Sequence, residues 1–396
     1  MERHIFIWVL VLFQLSCVEP YEPSTRIFED VLVVEAILTD ELKHQEVILT
    51  RSYQLEADVP TMEQAATVKI EDNLGNKFYF KETEAGRYVS KIAFKAEKGK
   101  SYFLSIITDS DKSYKSTPEQ LPEPVLIDSL YANRIDDDFG KNGMAISIDN
   151  TAPTGLARYF RYEYEETFKI IAPYWLSYDY KIVNNGLVNE TDMVFITNGF
   201  ESVILAPKEE EELICYGTNI SKKIVLANTE DLDRSRLTNF QVHFIESNNY
   251  VLSHRYSILV RQFATTFKAY IYYKTLRDIA SSESLLSENQ TGFIVGNISA
   301  SDDQDEKVIG IFDVSSVSEK RIFFNYRDHY PNERLPPYIN ACRPQKSLTL
   351  MEQVRLDLIH YIEPNPSDVP PLSSIPRECG DCTALGSNQK PNFWID

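Results

Sequence analysis

Two cysteines three residues apart, in Cys379-Gly380-Asp381-Cys382, are the residue types and spacing best suited to chemistry in this 396-residue chain. Such a pair at the start of a helix is a redox motif, because the helix dipole stabilises the attacking thiolate. No helical pattern follows Cys382. A zinc site would need two further ligands at matching spacing, and Cys215 and Cys342 stand alone with no Cys or His beside them. Structural disulfides among Cys215, Cys342, Cys379 and Cys382 are therefore the expectation, with redox and zinc readings behind them. Four cysteines allow three connectivities. The preferred one ties Cys342 to the terminal pair and staples the C-terminal tail to the body.

Other constellations are thinner. Beyond His4 the histidines are His44, His243, His254, His329 and His360, none in the His-Glu-x-x-His spacing that holds a catalytic zinc. No Gly-x-Ser-x-Gly elbow presents a hydrolase serine. Gly99-Lys100-Ser101 echoes a phosphate loop, but Phe94 stands where the motif needs glycine and a strand follows. The run from Ser301 to Glu306 lacks the turn glycine of a calcium loop and reads as a solvated acidic loop. No cofactor or metal is expected. Among 59 acidic residues a carboxylate pair fit for glycoside cleavage is a matter of folding, so an exported carboxylate-based hydrolase stays as the rival class.

Aromatic residues give a further signal. The 23 Tyr, 21 Phe and 3 Trp include Tyr174, Trp175, Tyr178 and Tyr180, whose faces could stack on sugars or flat ligands. Sheets bury such residues routinely, so core packing is the competing reading for each. The Tyr174 to Tyr180 stretch is the candidate ligand platform.

Charge and leader set the address. With 59 acidic against 40 basic residues the net charge is -19, which repels phosphate backbones and speaks against nucleic acid as a partner. Residues 1–16 carry Ile5 to Phe13 without a charge, the length of a signal-peptide core and too short to span a bilayer. Gln14-Leu15-Ser16-Cys17 resembles the bacterial lipobox, which implies cleavage before Cys17 and its lipidation. The membrane would then be touched through that anchor alone, and residues 17–26 become a tether. Lipidation of Cys17 leaves an even four cysteines for disulfides.

The elements that must position all this read as mostly β. From Val31 to about Ser116 apolar residues alternate in short runs separated by turns, as in an immunoglobulin-like or transthyretin-like β-sandwich over 27–117. Val68 and Ile70 share one face; Asn73-Leu74-Gly75-Asn76 supplies a hairpin turn; Tyr102, Leu104 and Ile106 share another face. Pro118, Pro122 and Pro124 mark a linker over 118–126. A larger β-rich domain follows over 127–396, with Phe160, Tyr162 and Tyr164 alternating with Arg161 and Glu163. One main helix is expected at about 264–280, where Ala269, Tyr272, Tyr273, Leu276 and Ile279 recur at helical spacing and should face the second domain's sheet.

The stretches Cys17-Val18-Glu19-Pro20-Tyr21, Val33-Val34-Glu35-Ala36, Ser257 to Gln262, Gly296-Asn297-Ile298, Val314-Ser315-Ser316-Val317 and Cys379 to Cys382 with Pro391 to Trp394 run through the mature chain. On these the chain resembles domain-of-unknown-function family 4249 of Bacteroidota outer-membrane lipoproteins. The resemblance implies an accessory role beside a TonB-dependent outer-membrane receptor and carries no catalytic residue. Asp128-Ser129-Leu130 is similar to an O-glycosylation acceptor of exported proteins of that phylum, which makes Ser129 a candidate modification site. The expected role is a non-catalytic binding or accessory subunit at the cell surface. An exported hydrolase and a structural surface protein or adhesin are the alternatives.

Overall fold

The computed structural model describes residues 30–52, 59–152, 155–230, 235–281, 294–303, 305–364 and 373–396; Cys17, the leader and the tether lie outside them. The chain is mostly β, as its alternation requires. The first strands are β1 (Leu32–Thr39), β2 (Glu46–Arg51), β3 (Thr67–Asp72), β4 (Lys77–Glu84), β5 (Arg87–Ser90), β6 (Ser101–Ile107), β7 (Ser113–Ser116) and the two-residue β8 (Glu119–Gln120). Period-two alternation puts Val68, Ile70, Tyr102, Leu104 and Ile106 in one core, and Gly75 adopts φ +85° in the β3–β4 turn. Tyr88 and Tyr102 are buried to the ring yet bond at the phenol. Tyr88 Oη donates to the Glu63 carbonyl at 2.9 Å, and Tyr102 Oη accepts from the Glu97 N–H at 2.9 Å.

Residues 27–117 do not complete this lobe. After a long excursion the chain returns as β19 (Ile298–Ala300), which pairs with β7, and as β20 (Val308–Asn325), whose first half runs parallel to β1 with Leu32 opposite Val308. Ile298, Val308, Phe312 and Val314 join the first core. The rolled sheet is drawn shut where Gly296 meets Gly310. A Cβ on Gly296 would stand 1.5 Å from the Gly310 carbonyl oxygen, and Gly310 itself takes φ +141°.

The excursion builds the second lobe. Its strands are β9 (Ile127–Asp136), β10 (Asn142–Thr151), β11 (Tyr159–Ile171), β12 (Tyr178–Asn184), β13 (Val194–Thr197), β14 (Glu201–Pro207), β15 (Ile214–Ile220), β16 (Val225–Asn228), β17 (Arg236–Glu246) and β18 (Arg255–Thr265). β18 pairs with the second half of β20, and β11 then β15 extend the sheet outward. The three-stranded sheet β17-β10-β9 packs on this one through Met144, Ile146 and Ile148 against Phe160, Tyr162, Tyr256 and Ile258. Buried polar groups in that core are joined to one another: Gln262 Oε1 accepts from Asn150 at 2.5 Å and from Tyr162 at 3.0 Å, and Gln262 Nε2 donates to the Val125 carbonyl at 2.8 Å.

Helix α1 (Phe267–Ser281) follows β18 and covers the sheet's other face with Ala269, Tyr270 and Tyr272. The expected inner residues Tyr273 and Leu276 are partly buried there, whereas Ile279 is exposed. Arg161 is buried under α1, its guanidinium stacked 4.3 Å from Phe263 and 4.8 Å from Tyr273. The chain ends with α2 (Tyr326–His329), α3 (Leu350–Arg355), β21 (Ile359–Tyr361), β22 (Ser374–Pro376) and α4 (Arg377–Gly380). No helix among the described residues is long and apolar enough to cross a membrane.

Direction along β20 organises the molecule. β1 starts level with Val308, whereas Phe168 near the end of β11 and Tyr256 at the start of β18 lie level with Phe324. The 18 residues of β20 extend about 55 Å at roughly 3.3 Å per residue. The first described residue and the segment inserted between β11 and β15 therefore leave the sheet at opposite ends.

Candidate functional site

The insertion begins as β11 runs out, where the Ala172 N–H bonds the Leu213 carbonyl at 2.9 Å and closes its neck. β12, β14 and β13 then form an antiparallel sheet in that order. One face is built from Tyr180, Ile182, Phe195, Val203 and Leu205, which pack on Leu350, Met351 and Val354 around α3 and on Ile359 and Tyr361. Tyr180 and Phe195 meet edge to face, their centroids 5.0 Å apart. The insertion thus needs the C-terminal tail for a core.

The tail is fixed by two disulfides. Cys342 pairs with Cys379, the preferred staple, and Cys215 of β15 pairs with Cys382. The Cys-x-x-Cys pair is thereby divided between two partners, and all four sulfurs are held in structural bonds. The Tyr174 N–H bonds the Cys379 carbonyl at 3.0 Å, which ties the root of the insertion to the same knot.

A charge cluster completes the joint. Asp179 of β12 bonds His360 Nδ1, accepts from the Tyr361 N–H at 2.7 Å and lies 3.3 Å from the Lys208 ammonium. Burial alone would raise the Asp179 carboxyl, but His360, Tyr361 and Lys208 together hold it below the usual carboxylate range. Lys208 Nζ also reaches Glu212 at 2.5 Å and the Gly380 carbonyl at 3.3 Å. His360 Nε2 is buried 3.9 Å from both Asp357 and Asp381, and Arg377 bonds those two carboxylates. This arrangement latches insertion to tail. Among the described residues no group of three or more His, Cys, Asp or Glu is placed to hold a metal ion.

The aromatic stretch at the root divides. Tyr174 and Tyr178 are exposed, Trp175 is half-buried against the second-lobe core, and Tyr180 is buried with its Oη donating to the Ser373 carbonyl at 2.8 Å. The four therefore share no single face. Ser129 lies exposed on β9, opposite Asp149 of β10.

What the insertion does expose is aliphatic. Val194 and Ile196 on β13, together with Met193, Leu187 and Phe200 beside them, stand open to solvent, Phe200 at 83%. In the sequence Met193 to Ile196 is a short apolar run that reads as an ordinary strand, with nothing to show that it is exposed. Only the end position of β13 in its sheet makes them a surface.

A hollow lies where the lobes meet, a cleft of about 360 Å³ lined by Glu35, Lys43, Glu46, Glu163, Arg261 and Phe263 among others. Glu41 takes both of its nearest cations, Lys43 at 2.7 Å and Arg261 at 2.7 Å. Behind it Arg161 pairs with Glu163, and the buried Asp313 accepts from Thr265 Oγ1 at 2.7 Å. Burial raises the Asp313 carboxyl above its usual range against the pull of Thr265 and Arg161. Arg161 Nε and Nη2, Arg261 Nε and Asp313 Oδ2 are buried there without a hydrogen-bond partner.

Residues 18–321 match the family described as a domain of unknown function, DUF4249. The match ends inside β20, so the cysteine-bearing tail lies beyond it. No curated protein matches the chain.

Proposed function

The chain belongs to the DUF4249 family, and on that premise we propose that it is an outer-membrane lipoprotein, held by a lipid on Cys17, that acts as a non-catalytic binding or accessory subunit. The partner in this reading is a TonB-dependent receptor engaged in nutrient uptake. The observation that carries it is the opposition of two ends: the chain enters at the Val308 end of β20, and a braced insertion with exposed aliphatic residues stands at the Phe324 end. An anchored subunit needs this separation, because a tether fixes one end while the other remains free to meet a partner.

The test is affinity purification of the tagged full-length chain from mild detergent extracts of its native membrane, beside Cys17→Ala. The expected result is one stoichiometric barrel protein with the parent chain and release of Cys17→Ala into the soluble fraction. Unchanged membrane retention of Cys17→Ala would remove the lipid anchor, and a parent chain that purifies alone would remove the accessory role.

A further inference from the structure

We infer that the free edge of β13, with Leu187 and Phe200 beside it, receives an extended apolar segment of a partner protein flanked by lysine or arginine. This deepens the accessory-subunit reading and rests on it. Among the described residues β13 is the last strand of its sheet and is paired on one side, to β14. Its residues are apolar on both faces, since Val194 lies opposite Ile204 and Ile196 opposite Val203. Phe195 between them turns inward onto Tyr180 and Tyr361 and holds the edge in place. Exposed strand edges are normally guarded by lysine, proline or a covering loop. Here Val194 and Ile196 are more than 40% exposed and Met193 is 56% exposed, so an added strand would gain main-chain hydrogen bonds and apolar cover together.

Charge selects the occupant. Between residues 172 and 213 eight acidic residues (Asp179, Glu190, Asp192, Glu201 and Glu209 to Glu212) stand against Lys181 and Lys208, so eight minus two leaves -6. At the chain's average of -19 over 396 residues, a segment of this length would carry about -2. Asp179 and Glu212 pair with Lys208, Glu209 with Lys181 and Glu201 with Arg355 of the tail, so Glu190 and Asp192, directly before β13 in the chain, are the carboxylates that attract a cationic segment and repel a second copy of the same face. Position speaks against lipid, because Leu32, near the start of the described chain, lies level with Val308, about 55 Å along β20 from the Phe324 end at roughly 3.3 Å per residue.

The experiment places p-benzoylphenylalanine at Phe200 of the full-length chain in its native membrane, with the same substitution at Leu74, an exposed hairpin tip of the first lobe, as control. Irradiation should give an adduct from position 200 that maps to a Lys- or Arg-bearing segment of one other protein, at least tenfold above position 74. That yield should fall at least tenfold in Val194→Asp/Ile196→Asp and in half-molar salt. The Phe200 crosslinker variant and the double variant are checked for unchanged thermal unfolding; if Val194→Asp/Ile196→Asp unfolds, Ile196→Lys, which adds a positive charge to the edge, replaces it. Adducts to lipid or to a second copy, or equal yields from the two positions, would overturn the proposal. Cys17→Ala separates the two readings: a released chain that still crosslinks when added back to membranes keeps the docking edge, and an anchored parent that gives no adduct loses it.

Discussion

The Asn297 side chain holds Phe312 by both of its main-chain groups, donating from Nδ2 to the carbonyl at 2.8 Å and accepting the N–H on Oδ1 at 2.8 Å. Nδ2 also donates to Glu119 Oε1 at 2.9 Å. Asn297→Ala leaves the buried Phe312 N–H and carbonyl without this partner, while Glu119 keeps Thr117 and Lys268, and at about 1–3 kcal/mol for an unsatisfied buried group the expected loss is about 3 kcal/mol. Urea unfolding of parent and variant measures it; a loss under about 1 kcal/mol would mean that water replaces the amide.

The neighbouring glycine should be less forgiving. Because a Cβ on Gly296 would lie 1.5 Å from the Gly310 oxygen, Gly296→Ala must push β20 away from the segment before β19. We expect Gly296→Ala to cost more than Asn297→Ala and to expose the first core to a hydrophobic dye. A variant as stable as the parent would show that the roll closes without this contact.

Two aspartates, the partly buried Asp179 and the buried Asp313, should bend stability against pH in opposite senses. Asp179 has a folded pKa below its ordinary 3.8, so its contribution is full above that value and is lost as pH falls through the lower one. Asp313 has a folded pKa above 3.8, so ionising it costs stability as pH rises from 3.8 through the raised value. Asp179→Asn should lower stability at pH 7 by about 3 kcal/mol, leaving His360 and Lys208 short of an anion, and should flatten the acid limb. Asp313→Asn should instead remove a decline that sets in as pH rises above 3.8. Urea midpoints from pH 3 to 8 decide, and parallel curves for the two variants would refute the assignment.

Loss of either disulfide should loosen the distal end. Chain entropy gives about 5 kcal/mol for Cys215–Cys382, separated by 167 residues, and about 4 kcal/mol for Cys342–Cys379, separated by 37, as upper values. The paired Cys→Ser variants should unfold at lower urea, and reduction of the parent should shift its gel mobility. Four titratable thiols in the folded parent would contradict the pairing.

What could be read in advance was local. Alternation marked Val68, Ile70 and the Tyr102 to Ile106 face, helical spacing marked α1 within a few residues, and cysteine parity led to two disulfides. The parallel register of β1 with β20 left no local trace, because parallel pairing joins strands through long connections with no turn between them. Arg161 reads as an outward residue of an alternating strand, and it is α1, packed on that face, that buries it. Tyr180 looks like its neighbours Tyr174 and Tyr178 until β21 and β22 arrive from almost two hundred residues away to cover it. The apolar edge of β13 depends on which strand ends the sheet, a property of topology that composition does not hold.

Sharing β20 between the lobes also dictates when the molecule can finish folding. Leu32 finds Val308 only after 308 minus 32, or 276, further residues have been made. As the chain emerges from its N-terminus, β1 to β8 must wait with one flank of β1 unpaired while the whole second lobe is produced. Contacts of such separation carry a high loop-closure cost and form slowly. The two lobes therefore lock in one late step, and in the interval the unpaired flank of β1 is the part of the chain most in need of a chaperone.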